Sequence, residues 1–538
     1  MLNTLKKLIQ PKSVFTIIKF IFAAILVALT FFTTKSITYL VVGYLELILI
    51  FFIYNAIVEI KPVFRVLAGL LFFIFVAQML VLYFGNSFVT LTMLKNVKFL
   101  EDLGGKIFTY IAGTVLVLFV VLIPGKAILS RLNKKLLIGL IAALVIVEGF
   151  IYINYKHYSP VQSFATLIAS EIRYQHVKKA QVNPELALET YHKDSLADTI
   201  SKPANLPENP NIIVIFTEGL SYNIISDERD IMPNLKEFEK NCISFKNYYN
   251  HTFPTLRGIQ GQLYSGYKLD DDELGNNLVS IQDVLEDKGY FSAFINVEPY
   301  NKEFNAYCAN LGFDQIITDT RHVSGYNLSM TDKEIYDFLF SYAIELEEGT
   351  EPFFLSTYTF GTHVSFDSPD EVYGDGSDAE LNKFYNLDVQ LGEFIDRFNN
   401  SFLATNTILV FTTDHSTYAD QDYTSAFPDY KRACTDVDQV PLFIYYAGIT
   451  PEEIDVQGKN SLCLAPTILD YLDIDCENYF LGSSLFDTES TTGFDTTFYD
   501  ASYLVSTKDA DVRHLDDLEV DEFLSQVLAY YSAVEAPR

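Results

Sequence analysis

The stretch NIIVIFTEG, residues 211–219, is a run of branched and aromatic apolar side chains that ends in an acid and a glycine. An uninterrupted apolar run of this length is typical of a strand buried on both faces of a parallel sheet. In such sheets ligands bind beyond the carboxyl ends of the strands. Residues 211–219 therefore predict the first strand of an α/β domain, with Glu218 at its functional edge.

Four further segments repeat this pattern, with helix-like sequence between them. They are YFSAFINV (290–297), PFFLSTYTFGTH (352–363), NTILVFTTDH (406–415) and VPLFIYYAG (440–448). Strands that alternate with helices predict a mostly parallel sheet flanked by helices on both faces.

Polar side chains follow three of these strands and bring a set of possible ligands to one edge. The strands deliver Glu218, His363, and the adjacent pair Asp414 and His415. Carboxylates and imidazoles in this combination are typical ligands of a divalent metal. We expect Glu218, Asp414 and His415 to bind one ion, Mn²⁺ or Zn²⁺, with Mg²⁺ as the alternative.

The segment NHTFPTLRGIQGQLYSGY, residues 250–267, adds a hydroxyl to this inventory. Thr252 and Thr255 flank a proline just before a predicted helix, and either could be only a helix cap. Beside a divalent cation, however, a hydroxyl becomes a nucleophile suited to attack on phosphorus. His363 could then protonate the leaving oxygen. Arg257 and the helix N-terminus could contact the phosphoryl group.

The charge of the chain is divided unequally. The 538 residues carry a formal net charge of −31, yet residues 1–155 contain 14 Lys and Arg against 5 Asp and Glu, and the remainder 24 against 64. The acidic remainder argues against a nucleic-acid partner, which requires clustered Lys and Arg.

Five cysteines are spread through this acidic part, which does not predict a disulfide scaffold. One or two disulfide bridges among them are compatible with the sequence.

The first 155 residues are predicted to be a five-span membrane domain. The apolar runs cover residues 13–33, 36–58, 63–84, 107–124 and 135–154. Lys and Arg precede the first run and lie between the second and third and between the fourth and fifth, which predicts a cytoplasmic N-terminus. Residues 156–208 are then a juxtamembrane helix and linker, and residues 209–538 an extracytoplasmic domain at the inner or plasma membrane.

The order of short motifs along the chain resembles the alkaline phosphatase/sulfatase superfamily. The motifs are NIIVIFTEGLS, MPNLKEF, FPTLRGIQGQLYSGY, GTH, FTTDHSTY, VPLFIYYAG, APTILDYLDI and LGSSLF. Five predicted spans ahead of such a domain resemble the branch of lipoteichoic acid synthases and phosphoethanolamine transferases.

This resemblance implies a reaction. A metal-bound threonine takes the headgroup of a membrane phospholipid donor, and the headgroup then passes to an extracytoplasmic glycan or glycolipid acceptor. The metal ligands are then Glu218, Thr255, Asp414 and His415, and His363 faces the substrate. The motif spacing favours Thr255 as nucleophile over Thr252. Neither position is the cysteine that a sulfatase would modify.

The headgroup is less well defined by the resemblance. The Trp and Arg that contact glycerophosphate in lipoteichoic acid synthases are missing from residues 298–314, where Lys302 is the candidate replacement cation. Glycerophosphate is our first choice and phosphoethanolamine the second. Two different functions are also compatible with the sequence: a phosphodiesterase or sulfatase-type hydrolase, and an inactive membrane-anchored binding module.

Overall fold

The structure, a computed structural model, describes residues 11–95, 107–122, 125–129, 133–179, 183–269, 275–318, 329–364 and 366–535. The chain forms two compact units. A helical unit comprises the chain up to Arg173 together with Ala419–Asp429, and an α/β unit comprises Tyr174–Tyr418 and the chain from Tyr430 onward. The helical unit thus extends beyond the predicted limit at residue 155 and includes a segment from the predicted extracytoplasmic domain.

Most helices of the helical unit are apolar. The α-helices described up to residue 179 are α1 Pro11–Thr34, α2 Ile37–Ile57, α3 Pro62–Gly85, α4 Leu91–Lys95, α5 Ile107–Leu122, α6 Lys134–Tyr155 and α7 Pro160–Lys179. Of these, α4 has only five residues, and α7 follows the apolar helices. Aromatic rings hold the bundle together, with Phe20 in contact with Phe51, Tyr54 and Phe72. The short helix Gln421–Ala426 packs on α1 and α3 within the same unit.

Four of these helices are long and apolar enough to cross a membrane. They are Ser13–Thr34, Ile37–Ile57, Pro62–Gly85 and Lys134–Tyr158. The remaining predicted span, 107–124, coincides with α5, which is apolar but 16 residues long, while its residues 123–124 lie outside the described part of the chain. The five predicted apolar segments are therefore helical, and four of them reach spanning length.

Two carboxylates within the apolar helices have hydrogen-bond partners. Glu46 of α2 accepts the hydroxyl hydrogen of Ser159 and, at 3.1 Å, the backbone N–H of Val161. Glu148 of α6 accepts from Nε2 of Gln162 at 3.1 Å. All three donors lie at the start of α7, so this pair fastens that helix to α2 and α6.

An eight-stranded sheet forms the centre of the α/β unit, and a three-stranded sheet lies beside it. The strands are β1 Asn211–Thr217, β2 Ile243–Lys246, β3 Phe291–Ile295, β4 Gln315–Ile317, β5 Phe353–Thr359, β6 Thr407–Thr413, β7 Leu442–Tyr445, β8 Glu452–Asp455, β9 Thr496–Asp500, β10 Tyr503–Ser506 and β11 Arg513–His514. The large sheet has the order β4-β3-β5-β1-β6-β7-β2-β8. Among its described strands, only β7 pairs antiparallel with its neighbours, so the predicted mostly parallel sheet is confirmed.

Helices lie before, between and after the strands along the chain. They are α8 Pro184–Tyr191, α9 Tyr222–Ile225, α10 Pro233–Glu239, α11 Thr255–Tyr264, α12 Ile281–Asp287, α13 Lys302–Cys308, α14 Asp332–Glu347, α15 Ala379–Asn399, α16 Leu403–Asn406, α17 Gln421–Ala426, α18 Leu464–Tyr471 and α19 Asp517–Val534. Of these, α17 belongs to the helical unit. Capping boxes begin α12, α14 and α19, as expected where a polar residue precedes an apolar face.

The core of the sheet lies in its central strands. Every residue of β1, β5 and β6 is buried, which explains their continuous apolar sequence. All five cysteines are unpaired thiols, so the bridges that the sequence left open are not formed.

Candidate active site

Glu218 lies directly after β1, at the carboxyl end of the central parallel strands. Strands β5 and β6 flank β1, with Thr217 paired to Thr359 on one side and to Thr413 on the other. The backbone N–H of Glu218 donates to the carbonyl of Thr359 at 3.2 Å, which extends the ladder by one residue. Because Glu218 is only 3% exposed, its carboxylate is positioned by the sheet itself.

Asp414 and His415 follow β6 at the same edge. One Asp414 oxygen, Oδ1, accepts the backbone N–H of Gly219 at 2.8 Å and that of His415 at 2.6 Å. The other oxygen, Oδ2, is buried and has no hydrogen-bond partner in the described part of the chain. The backbone thus orients one oxygen of this carboxylate and leaves the other available to a ligand.

A backbone carbonyl orients the His415 imidazole. Its Nδ1 lies 2.7 Å from the carbonyl oxygen of Ser416, so in the neutral imidazole Nδ1 carries the proton and Nε2 the lone pair. Nε2 lies 3.4 Å from Glu218 Oε1 and 3.5 Å from Asp414 Oδ2. One ligand atom from each of these three side chains lies within 4.8 Å of the others, and all three residues are buried.

Thr255, not Thr252, reaches this cluster. Thr255 is the first residue of α11, and its hydroxyl donates to Glu218 Oε2 at 2.9 Å. The hydroxyl of Thr252 lies 2.8 Å from the backbone carbonyls of Phe253 and Phe498. Of the two predicted nucleophiles, Thr255 is therefore the one beside the predicted metal ligands.

Gly258 explains how α11 comes so close to the cluster. A Cβ at this position would lie 2.2 Å from the carbonyl oxygen of Asp414. Only a glycine allows the helix to rest on the backbone of Asp414, one turn after Thr255. Sequence analysis did not select Gly258, although a glycine inside a helix is a signal of close backbone approach.

His363 lies in the turn after β5, beside the cluster. The preceding residue, Thr362, donates its hydroxyl to the carbonyl of Glu218 at 2.5 Å. The His363 imidazole packs against the rings of Phe360 and Phe366, with centroids 4.7 Å and 5.4 Å away. His363 is partly exposed whereas His415 is buried, so His363 is the more accessible of these two histidines.

The two cations predicted to contact the substrate have different surroundings. Arg257 is 2% exposed, and its Nη1 donates to the carbonyl of Tyr499 at 2.5 Å, which ties α11 to β9. Lys302 is exposed at the start of α13. The same helix contacts the nucleophile region through Tyr307, whose hydroxyl donates to the carbonyl of Leu256 at 2.8 Å. Contact of either cation with a phosphoryl group stays a prediction.

The buried charges strongly perturb the pKa values of the cluster. Burial raises the pKa of Glu218, but the nearby His415 imidazole and its charge, the charge of His363 and the Thr255 hydroxyl outweigh it and lower the value to about 2. Burial and the charge of Glu218 raise the pKa of Asp414 to about 7. Burial lowers the pKa of His415, but Asp414 and Glu218 outweigh it and raise the value to about 9. The cluster thus attracts positive charge.

These residues fit a divalent metal ion. Two oxygens and one nitrogen converge, and the two atoms without hydrogen-bond partners among the described residues, Asp414 Oδ2 and His415 Nε2, are both ligand atoms. Buried polar atoms without partners are rare in folded proteins unless an ion or water binds them. Nitrogen and carboxylate ligands together suit Zn²⁺ or Mn²⁺.

One protein-family model matches the part of the chain that contains the cluster. Residues 210–474 match the Sulfatase family, and this range contains the candidate residues Glu218, Thr255, His363, Asp414 and His415. No curated protein sequence matches the chain.

Two of three similar solved structures share the fold, with TM-scores of 0.51 and 0.50, at low sequence identity. An alkaline phosphatase superfamily protein from Vibrio parahaemolyticus is 18% identical, with a TM-score of 0.51 over 65% of this chain and 94% of that one. The integral membrane protein lipooligosaccharide phosphoethanolamine transferase A from Neisseria meningitidis is 14% identical, with a TM-score of 0.50 over 84% of this chain and 95% of that one. The lipoteichoic acid synthase LtaP from Listeria monocytogenes is 17% identical, with a TM-score of 0.48 over 65% and 97%. The chain therefore carries a sulfatase-family domain, residues 210–474, with the fold of the alkaline phosphatase superfamily.

Proposed function

We propose that this chain is a membrane-anchored, metal-dependent phosphotransferase that moves a phospholipid headgroup through a phosphothreonine at Thr255. One observation carries the proposal: the Thr255 hydroxyl donates to Glu218 at 2.9 Å, within a buried cluster that also contains Asp414 and His415. A hydroxyl held against metal-ligating carboxylates is the arrangement of an activated alcohol. The apolar helices would keep this site at the membrane that supplies its substrate.

The first half-reaction forms a bond between Thr255 Oγ1 and the phosphorus of the donor. A divalent cation, when bound by Glu218, Asp414 and His415, would lower the pKa of the threonine hydroxyl and neutralise phosphate charge. Thr255 releases its proton to solvent and attacks phosphorus, and the phosphorus–oxygen bond to diacylglycerol breaks. His363, partly exposed beside the cluster, donates a proton to the departing oxygen.

The second half-reaction returns the enzyme to its starting state. A hydroxyl of the acceptor gives its proton to His363 and attacks the phosphothreonine, and the bond to Thr255 Oγ1 breaks. Thr255 takes up a proton from solvent and is a hydroxyl again. A glycan or glycolipid acceptor outside the membrane gives transfer, whereas water gives hydrolysis. The two outcomes share their first half, so the acceptor alone distinguishes a transferase from a phosphodiesterase.

The donor is proposed to be phosphatidylglycerol, which gives a glycerophosphate headgroup, with phosphatidylethanolamine as the alternative. Likeness of fold to a phosphoethanolamine transferase over 84% of the chain supports keeping the second donor. The bias of Lys and Arg between the apolar segments supports a cytoplasmic N-terminus and an extracytoplasmic sulfatase-family domain.

Intact mass spectrometry of the full-length protein in detergent tests this function. The protein is incubated with Mn²⁺ and either phosphatidylglycerol or phosphatidylethanolamine. We expect the wild type to gain the mass of one glycerophosphate or phosphoethanolamine group, and Thr255→Ala to gain none. The mass gained identifies the donor.

Thr252→Ala is the matched control, because Thr252 lies three residues away and its hydroxyl contacts backbone carbonyls rather than the cluster. It should still gain the headgroup. An adduct that persists in Thr255→Ala and disappears in Thr252→Ala would move the nucleophile to Thr252. An active wild type that releases headgroup to water at the same rate with or without acceptor would identify a hydrolase.

A further inference from the structure

Asp332 is a buried carboxylate that the proposed reaction does not use. It is the first residue of α14 and is 1% exposed. Its Oδ2 accepts from Nδ2 of Asn386, on α15, at 2.8 Å. Its Oδ1 is buried and has no hydrogen-bond partner among the residues that the structure describes.

This carboxylate lies against the backbone of the turn that carries His363. A Cβ on Gly361 would lie 2.3 Å and 2.5 Å from the two oxygens of Asp332, so the acid rests directly on the Gly361 Cα. Gly361 precedes His363 by two residues, which makes Asp332 a direct neighbour of the histidine turn.

The same pair of side chains contacts the chain on both sides of His363. Asn386 donates to Asp332 and, through its Oδ1, accepts the backbone N–H of Glu371 at 3.2 Å. Between these two contacts, Thr362 donates to the carbonyl of the metal ligand Glu218. The chain around His363 is therefore fixed on one side by Asp332 and Asn386 and on the other by Glu218.

Helix capping does not account for Asp332. The N-terminus of α14 already has a complete capping box, formed by Thr331 and Glu334. A buried carboxylate with one unpaired oxygen destabilises a fold relative to an apolar side chain of similar size. The contacts that use the acid are those with Asn386 and with the turn before His363.

We infer that Asp332 is a positioning residue that, together with Asn386, sets the place of the His363 imidazole beside the Glu218–Asp414–His415 cluster. Its consequence for the reaction rests on the proposed function, in which His363 transfers a proton. A shift of this turn would move the imidazole relative to the substrate without changing the metal ligands.

Asp332→Asn tests the inference, because it keeps the shape of the side chain but replaces one of the two oxygens that pack against Gly361 with an NH₂ group. Two measurements are made on the full-length protein in detergent with Mn²⁺. The first is the rate at which diethylpyrocarbonate modifies His363, followed by peptide mass spectrometry. We expect this rate to rise about fivefold, because a weaker contact with Gly361 increases the population of an opened turn.

The second measurement is headgroup transfer with the lipid that labels the wild type. We expect kcat to fall roughly 10²-fold, as for a misplacement of about 1 Å, with KM and metal content unchanged. Gly361→Ala disturbs the same contact from the turn, because its Cβ would meet the Asp332 oxygens, and it leaves Asp332 itself unchanged. It should raise the His363 modification rate and lower kcat in the same way, so the test does not depend on one variant folding.

Asp388→Asn is the matched control. Asp388, on α15, is likewise a buried carboxylate, and it accepts the backbone N–H groups of Asn234 and Leu235 at 3.0 Å and 2.7 Å, at the start of α10. The Asp388→Asn variant should keep the His363 modification rate and kcat within about twofold of the wild type, the range expected of a change remote from the site. Equal effects of Asp332→Asn and Asp388→Asn, or an unchanged His363 rate in both Asp332→Asn and Gly361→Ala, would overturn the inference.

The two proposals fail separately. A wild type that transfers no headgroup contradicts the proposed function, while the modification rate of His363 still decides whether Asp332 positions it. A changed modification rate with unchanged kcat in an active enzyme would remove Asp332 from the reaction.

Discussion

Two pairs of carboxylates occupy the two units of this protein, and they differ in how their oxygens are bonded. In the helical unit, Glu46 and Glu148 accept hydrogen bonds from three residues at the start of α7. In the α/β unit, Glu218 and Asp414 converge with His415, and Asp414 Oδ2 and His415 Nε2 have no partner within the described chain.

This difference separates a pair satisfied by the chain from a pair that could bind a cation. Buried carboxylates are stable when donors from the chain satisfy them. Where the chain instead leaves a carboxylate oxygen and an imidazole nitrogen aimed at one point, a cation can satisfy both. Both units therefore contain a buried acid. The unpartnered atoms Asp414 Oδ2 and His415 Nε2 distinguish the candidate metal site.

The largest expected effect comes from removing a ligand at the sheet edge. Asp414→Ala and His415→Ala should each abolish metal binding and headgroup transfer. The loss of metal affinity should exceed the roughly 10–100-fold typical of a residue that only supports a ligand. Metal content after dialysis, measured by mass spectrometry of the ion, and the transfer rate check this. Retention of one metal per chain in both variants would refute the assignment.

Gly258→Ala should have the next largest effect, because its Cβ would meet the Asp414 carbonyl at 2.2 Å. We expect a loss of about 1–3 kcal/mol in the free energy of unfolding, the usual cost of overpacking, and weaker metal binding. Gly139→Ala in α6 is the control, since nothing lies within 4 Å of its added Cβ. Thermal unfolding and metal titration of both variants show whether the effect comes from the contact of the new Cβ with Asp414 or from the change in helix propensity.

Metal affinity should depend on pH because protons compete with the cation. The pKa of His415 is about 9 and that of Asp414 about 7. Raising the pH from 7 to 9 removes the need to displace the His415 proton and should increase affinity up to about tenfold per pH unit. Below pH 7 the protons of both His415 and Asp414 must be displaced, so metal affinity should depend more steeply on pH. Glu218, with a pKa of about 2, does not contribute to the pH dependence in this range. Chelator competition at several pH values measures the metal affinity.

Glu46→Gln should have the smallest effect on chemistry. Because the new amide oxygen can still accept the backbone N–H of Val161, we expect the helical unit to lose only about 1 kcal/mol of stability. Metal content and the pH dependence of metal binding should match the wild type. Thermal unfolding of the full-length protein in detergent, with parallel metal analysis, checks both. A drop in metal content would show that the two carboxylate pairs are not independent.

The central sheet was predicted because each of its strands lies within a mostly apolar run of the sequence. Strands β1, β5 and β6, of seven residues each, and the adjoining β3 and β7 were all predicted. Strands β2, β4 and β8 were not, because each has only three residues or carries charged side chains. The antiparallel direction of β7 depends on its path from β6 and has no sequence signal.

The candidate ligands were predicted for the same reason. Glu218, Asp414 and His415 each follow a recognisable strand, and parallel strands place their carboxyl ends at one edge. The inclusion of Ala419–Asp429 in the helical unit was not predicted, because this segment lies between two elements of the α/β domain and its own composition does not distinguish it.

The sequence by itself determined the order of the strands along the chain, the apolar helices and the acids and histidines at the sheet edge, because these depend on local pattern. The tertiary structure decided which threonine meets Glu218 and where Arg257 points. Thr252 bonds to the carbonyl of Phe498, and Arg257 to that of Tyr499, each more than 200 residues further along the chain. Side-chain direction at such positions is set by partners that only folding brings near.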